Sequence, residues 1–210
     1  MFITLEGIEG SGKTTQLNHI AEFLRKRGNM VKVTREPGAT RIGKHIRSIL
    51  LDPENRTLDP TTELLLYTAD RVQHVKEIIS PTLLAGGTVL CDRFFDATLV
   101  YQGFARGIDI RMIQDLHRIL LDGMQPDITF LFDLPPEEGL ARAWKQIENG
   151  TRTNVETRFE RESIGFHEAV RSGYLTLAKQ EPNRFRIIDA RKSEEAVKND
   201  LLKILTALYD

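Results

Sequence analysis

Gly7–Ile8–Glu9–Gly10–Ser11–Gly12–Lys13–Thr14 decides how this chain reads. The stretch fits GxxxxGK[ST], with the apolar run Phe2–Leu5 before it and the amphipathic run Lys13–Arg27, ending near Gly28, after it. Glycines let a backbone wrap an anion, and successive N–H groups at a helix N-terminus point at it. Lys13 adds a mobile positive charge for outer phosphates, and the Thr14 hydroxyl is a candidate Mg²⁺ ligand. Chance alone would produce the fixed positions in roughly 1% of chains this long. The strand–loop–helix setting makes coincidence rarer still. The loop points to a nucleoside triphosphate, without saying what is done with it.

Outward from the loop, short apolar runs alternate with longer amphipathic ones. Val31–Thr34, Thr88–Cys91, Ile128–Leu134 and Phe185–Ile188 join Phe2–Leu5 as strands. Helical period marks Lys13–Arg27, Ile42–Leu51, Thr61–Ile79, Met112–Leu121, Glu137–Ile147, a segment ending near Lys179, and Ser193–Leu208. Pro81 is expected to end the third of these helices. Strands alternating with helices of this length predict an α/β fold with a five-stranded parallel sheet flanked by helices. At 210 residues, and roughly 100–200 per domain, the chain is expected to be one domain over 1–210 with a movable flap.

Composition narrows the partners. Twenty-nine basic residues face thirty acidic ones, a formal net charge of −1. A nucleic-acid coat or polybasic membrane binder would carry a basic excess, so neither partner is expected. Cys91 is the single cysteine, and no two of the histidines stand three to five apart, so cysteine cages and HExxH-type metal sites are excluded. The uncharged stretch Ile78–Cys91 is too polar and short to span a membrane. Without a secretory leader pattern at the start, a cytoplasmic location is expected.

Other residues suggest an acceptor side. Pro37–Gly38 forms a turn at the carboxyl end of the second strand, where open α/β sheets bind ligands. Asp92–Arg93 follows the third strand. A carboxylate there suits Mg²⁺ and the adjacent guanidinium suits a second phosphate. Asp133 competes for the metal role, but a loop-tying carboxylate is the preferred reading there. Tyr67 and Arg71, four apart on one helix face, could stack on and hydrogen-bond a flat base. From about 142 to 161 the chain carries Arg142, Lys145, Arg152, Arg158 and Arg161, a basic segment suited to a lid over phosphates. The guanine-reading NKxD motif is missing, and the length suits a small kinase.

Taken together, these segments resemble the bacterial thymidylate kinase family along essentially the whole chain. The resemblance is carried by Leu5–Glu6–Gly7–Ile8–Glu9–Gly10–Ser11–Gly12–Lys13–Thr14–Thr15, Thr34–Arg35–Glu36–Pro37–Gly38 and Ala69–Asp70–Arg71. Its most specific part is Asp92–Arg93 with Tyr101–Gln102–Gly103 and Arg106–Gly107, followed by Gly139–Leu140–Ala141–Arg142 and Arg158–Phe159–Glu160. It implies a P-loop NTPase fold, ATP and dTMP as substrates, Mg²⁺ as cofactor and a homodimer. By position, it implies that Gly7, Ile8, Glu9, Gly10, Ser11, Gly12, Lys13, Thr14 and Thr15 hold ATP, with Arg142 against adenine. Thr14 and Asp92 would serve the metal. Glu36 and Pro37 would border dTMP, and Glu9 would face its 3′-hydroxyl. Tyr67 would stack on thymine, Arg71 would reach its carbonyl, and Thr98 and Gln102 would line its edge. Tyr101 would crowd the 2′ side. Arg93, with Arg47, would hold the acceptor phosphate. Lys13, Arg93 and Arg158, the last from the lid, would be catalytic. Ala39, Ala97, Val100 and Thr157 depart from the family pattern.

The chemistry is coherent without the resemblance. A phosphate monoester acceptor has a second pKa of about 6 and is largely dianionic at neutral pH. It needs no general base, only two anions held in line while their charge is neutralised. A kinase acting on a hydroxyl would instead need a base, for which Glu36 or Asp96 is available. A nucleotide-dependent binding switch would leave Arg93, Gln102 and the lid without a joint purpose.

Overall fold

The computed structural model describes residues 1–151 and 153–209; Arg152, one of the basic residues of the expected lid, lies outside the described residues, as does Asp210. Five parallel strands form one sheet: β1 (Phe2–Glu6), β2 (Val31–Arg35), β3 (Thr88–Asp92), β4 (Ile128–Asp133) and β5 (Phe185–Asp189). Their order is β2-β3-β1-β4-β5. Every residue of β1 is buried and all but the last of β4, which is why both read as unbroken apolar runs rather than alternating ones. Register pairs Leu5 with both Asp92 and Phe130, so the carboxyl ends of β1, β3 and β4 finish side by side. Ligand loops of open α/β sheets gather at that edge.

The helices are α1 (Lys13–Lys26), α2 (Arg41–Leu51), α3 (Pro60–His74), α4 (Ser80–Leu84), α5 (Phe95–Thr98), α6 (Ile110–Leu121), α7 (Pro136–Glu148), α8 (Ile164–Gln180) and α9 (Glu194–Tyr209). Their starts are written in local chemistry. Thr40 caps α2 through Gly43 N–H, Asp59 caps α3 through Thr61 and Thr62, and Ser163 caps α8 through Phe166. The start of α1 differs: Gly12 stands at the cap with no side-chain acceptor, and the first turn holds no acidic residue. Its free N–H groups are left for an anion.

Two elements depart from the sequence reading. The helix that was expected to stop before Pro81 runs on, because Val75–Ile79 widens into a π-turn that closes from Ser80 N–H to Val75 O. Pro81, which has no N–H, then sits in the first turn of α4. The segment after β3, for which no helix was expected, is helical: α5 continues as a π-helix over Leu99–Ala105. Its Leu99, Val100, Tyr101, Gln102 and Gly103 are all buried, so no polar face marks a period. After α7 the lid segment makes a turn of 3₁₀ helix at Asn154–Glu156, and Thr157 to Glu160 are buried against the body. Among the described residues no helix is long and apolar enough to cross a membrane.

Candidate active site

Where β1 ends, the chain turns through Gly7–Thr14 into α1, and Lys13 folds back over that loop. Its Nζ donates to Gly7 O at 3.0 Å, Ile8 O at 2.8 Å and Ser11 Oγ at 3.2 Å. Burial first, and then the charge of Arg93, lower its pKa from 10.5 to about 8. Gly10 has φ +69°, and a Cβ built there would lie 2.1 Å from Gly139 O in the first turn of α7. The loop therefore has a glycine at 10 for two reasons, its left-handed backbone and the helix seated on it.

Asp92 ends β3, and its Oδ2 accepts from the Thr14 hydroxyl at 3.2 Å. Its Oδ1 is buried with no hydrogen-bond partner among the described residues. A hydroxyl and a carboxylate oxygen of this kind suit Mg²⁺, which takes one or two protein ligands and completes its shell with phosphate and water. Asp133, the competing carboxylate, is held bidentately by Arg171 at 2.7 and 3.0 Å and ties β4 to α8.

Arg93 adopts a left-handed backbone with φ 69°, a conformation costing a non-glycine residue roughly 1–2 kcal/mol. It is clamped from both sides: its N–H donates to Leu5 O at 3.0 Å, and the next N–H, of Phe94, donates to Glu6 Oε1 at 2.7 Å. The turn aims the guanidinium at Glu9 Oε1, 2.8 Å away, above the Tyr101 ring at 4.8 Å. Tyr101 donates to the same oxygen at 2.7 Å. Burial would raise the Glu9 pKa, but its neighbouring cations, Arg93 above all, hold it well below the usual carboxylate range. Behind Arg93, Tyr174 donates to Glu6 Oε2 at 2.6 Å. Burial, with the nearby Asp96 charge, raises the Glu6 pKa to about 8.

A cavity of about 280 Å³ opens beside the loop and extends to α3 and α5. At its far wall Arg71 donates through Nη2 to Thr98 Oγ1 at 2.8 Å and through Nε to Glu36 Oε2 at 2.8 Å. His74 Nδ1 lies 2.8 Å from the other Glu36 oxygen. Glu36 is thus engaged on both oxygens and serves to orient Arg71. Asp96 is bound bidentately by Arg184 at 2.6 and 2.9 Å and lies outside the cavity. Neither residue stands ready as the base that a hydroxyl acceptor would need. Arg47 reaches Pro37 O at 3.0 Å and Glu156 at 2.7 and 3.0 Å.

The structure brings most of the sequence-derived site together. From Glu9 to Thr15 the loop borders the cavity, as do Asp92 and Arg93 at the end of β3. Glu36, Pro37 and Arg47 border it from one side, and Tyr67, Arg71, Thr98, Tyr101 and Gln102 from another. Gly7 and Ile8 lie behind the loop as acceptors for Lys13. Arg142 does not line the cavity; it is half-exposed on α7, with Nη1 on Ala190 O at 2.9 Å. Arg158, expected to act from the lid, lies apart from the cavity here. Instead of entering the cavity its side chain is buried, with Nε on Leu50 O and Nη2 on Glu63 Oε2, both at 2.5 Å. Carboxylate and carbonyl partners at these distances hold the guanidinium between α2 and α3, behind the cavity. Arg161, also on the lid, is exposed, with Nε 3.3 Å from Thr157 Oγ1.

Several cavity residues escaped the sequence reading: Arg35, Gln146, Glu156, Phe159 and Glu160. Arg35, Phe159 and Glu160 stand inside or beside motifs already quoted, and that adjacency was the available signal. Gln146 had none.

The description "Thymidylate kinase" belongs to the family model that matches residues 5–201. A curated thymidylate kinase of Desulfosudis oleivorans is 54% identical over 210 residues, covering 100% of this chain and 98% of that one. One from Desulforapulum autotrophicum is 55% identical over 202 residues, 96% and 89% of the two chains. The crystal structure of thymidylate kinase from Ehrlichia chaffeensis superposes with a TM-score of 0.76 at 35% identity, covering 98% of each chain.

Proposed function

The chain belongs to the thymidylate kinase family and moves the γ-phosphoryl group of ATP onto the 5′-phosphate of dTMP, and we propose how its residues divide that work. The observation that carries the assignment is the single cavity joining the phosphate loop to the Arg71–Thr98–Gln102 wall, with Arg93 between them.

ATP phosphates lie in the loop's N–H groups and against Lys13, whose ammonium exchanges loop carbonyls for phosphate oxygens. Arg142, steadied by Ala190 O, offers its flat face to adenine. Thr14 and Asp92 would hold Mg²⁺, which when bound would supply charge neutralisation for the transferring phosphoryl group. Arg93 holds the acceptor phosphate in line, with Arg47 at its flank and Arg35 at the cavity rim. Thymine lies between Tyr67 and the Arg71–Thr98–Gln102 wall, and Glu9 with Tyr101 borders the sugar. Catalysis is then placement plus fixed positive charge, with no proton to be removed from the acceptor. Lys13 and Arg93 carry the catalytic charge, and Arg158, set behind the cavity, holds Glu63. The apolar residues left exposed on the neighbouring helices α2, α3 and α6 support assembly as a homodimer.

A panel of dTMP, dUMP, dCMP and AMP with ATP and Mg²⁺ tests the assignment. We expect dTMP to be preferred, dUMP to follow within the ~1–3 kcal/mol that one methyl is worth, and dCMP and AMP to react poorly. Equal turnover of AMP and dTMP would remove the base-site reading.

A further inference from the structure

Gln102 presents one flat amide to the cavity, and an amide has two unlike ends. Turned one way it offers a carbonyl oxygen to a bound base; turned the other, an NH₂ group. The choice decides which base the pocket accepts, and it is made by a residue outside the cavity. Gln102 Nε2 donates to Glu63 Oε1 at 2.7 Å. Glu63 is fully buried in α3 and does not border the cavity. Arg158 Nη2 donates to its Oε2 at 2.5 Å, and Arg106 lies 3.4 Å from each of its oxygens. A carboxylate seated among two guanidinium groups and an amide can only accept.

We infer that Glu63 is a positioning residue for base specificity: it holds the NH₂ end of Gln102, so the carbonyl oxygen faces the base and selects a pyrimidine that carries an N3–H. This inference rests on the placement of the base against Gln102 proposed above. The neighbouring group completes the pattern. Arg71 donates to Thr98 Oγ1, which leaves the Thr98 hydrogen to be given elsewhere. The wall thus offers an acceptor beside a donor, the complement of N3–H beside the C4 carbonyl. Cytosine reverses both, with a lone pair at N3 and an amine at C4. A carbonyl oxygen facing the cytosine N3 lone pair repels it, and the pocket's polar groups stay unpaired.

Glu63→Gln separates this role from general support. Its carboxamide has one acceptor oxygen, which Arg158 claims, so its own NH₂ faces Gln102 and the Gln102 amide turns over. The ratio of kcat/KM for dTMP over dCMP should fall about tenfold or more, while KM for ATP holds. In a Gln102→Ala background the same change should leave that ratio unmoved, because Glu63 acts through Gln102. Equal losses for both nucleotides, or a ratio that falls just as far without Gln102, would overturn the proposal.

Should Glu63→Gln fail to fold, the unaltered protein still decides. The Gln102 side-chain NH₂ signals, assigned by their loss in Gln102→Ala, should be protected from exchange and barely shift when dTMP is added. A large shift would mean that the NH₂ end faces the base, and would overturn the proposal. Failure of the unaltered chain to use dTMP would instead overturn the placement beneath it, a result separable from any change in ratio.

Discussion

At the scale of single residues, the site keeps charges where water would not leave them. Lys13 is protonated against its own burial, which lowers its pKa to about 8 from 10.5. The charged form still predominates at neutral pH, but the folded, ligand-free chain holds it at a cost that the unfolded chain does not bear. Lys13→Met should cut kcat by ~10²–10³, the scale of losing one fixed transition-state charge, while the ligand-free melting temperature stays level or rises. Steady-state kinetics beside thermal melts would check both halves; a large drop in melting temperature would recast Lys13 as structural. Glu6 works in the opposite sense. Its carboxyl, raised by burial and by Asp96, keeps its proton up to about 8 when folded and releases it near 4.5 when unfolded. The folded state binds more protons in that window, so the stability from this group is complete below 4.5 and lost as pH rises to 8. Urea unfolding at pH 5 and pH 8 should show Glu6→Gln losing less stability over that interval than the parent chain. A parallel loss in both would place the titration elsewhere.

At the scale of elements, the phosphate loop and α7 meet backbone to backbone. A Cβ on Gly139 would lie 2.6 Å from Glu9 O and 2.6 Å from Ile8 Cδ1. Gly139→Ala should therefore destabilise by ~1–3 kcal/mol and raise KM for ATP, because the helix must lift off the loop it supports. Denaturant melts and ATP titrations would measure the two effects, and an unchanged KM would show the loop indifferent to α7. The same elements show what a reader of the sequence can and cannot reach. The loop was legible because its chemistry is contiguous, and the strands because burial on both faces writes an unbroken apolar run. Phe95–Ala105 was not, since burial on every side erases the helical period. Glu63 and Tyr174 were missed because their partners, Gln102 and Glu6, are 39 and 168 positions away. Arg158 marks a related limit: a motif gives the residue type and not the direction in which its side chain points.

For the whole molecule, the sheet order places every ligand loop on one edge and leaves apolar side chains bare elsewhere. Leu65 on α3 and Ile119 on α6 are both exposed, as are Ile42 and Ile49 on α2. Sedimentation should find a dimer for the parent chain, and Leu65→Glu together with Ile119→Glu should shift it to monomer by burying unpaired charge in the contact. A monomeric parent, or a double variant that still dimerises, would move the interface to another face.

The seating of α7 on position 10 also bears on how such a sequence can change over generations. Replacing Gly10 by a residue with a side chain is not a free exchange here. Any side chain at 10 meets the backbone at Gly139, and any at 139 meets the backbone at Glu9, so neither site can gain a side chain while the helix keeps its present spacing. A lineage carrying this pair of glycines reaches an arginine at position 10 only by first respacing a helix, and meanwhile draws its charge from Lys13, Arg35, Arg71 and Arg93.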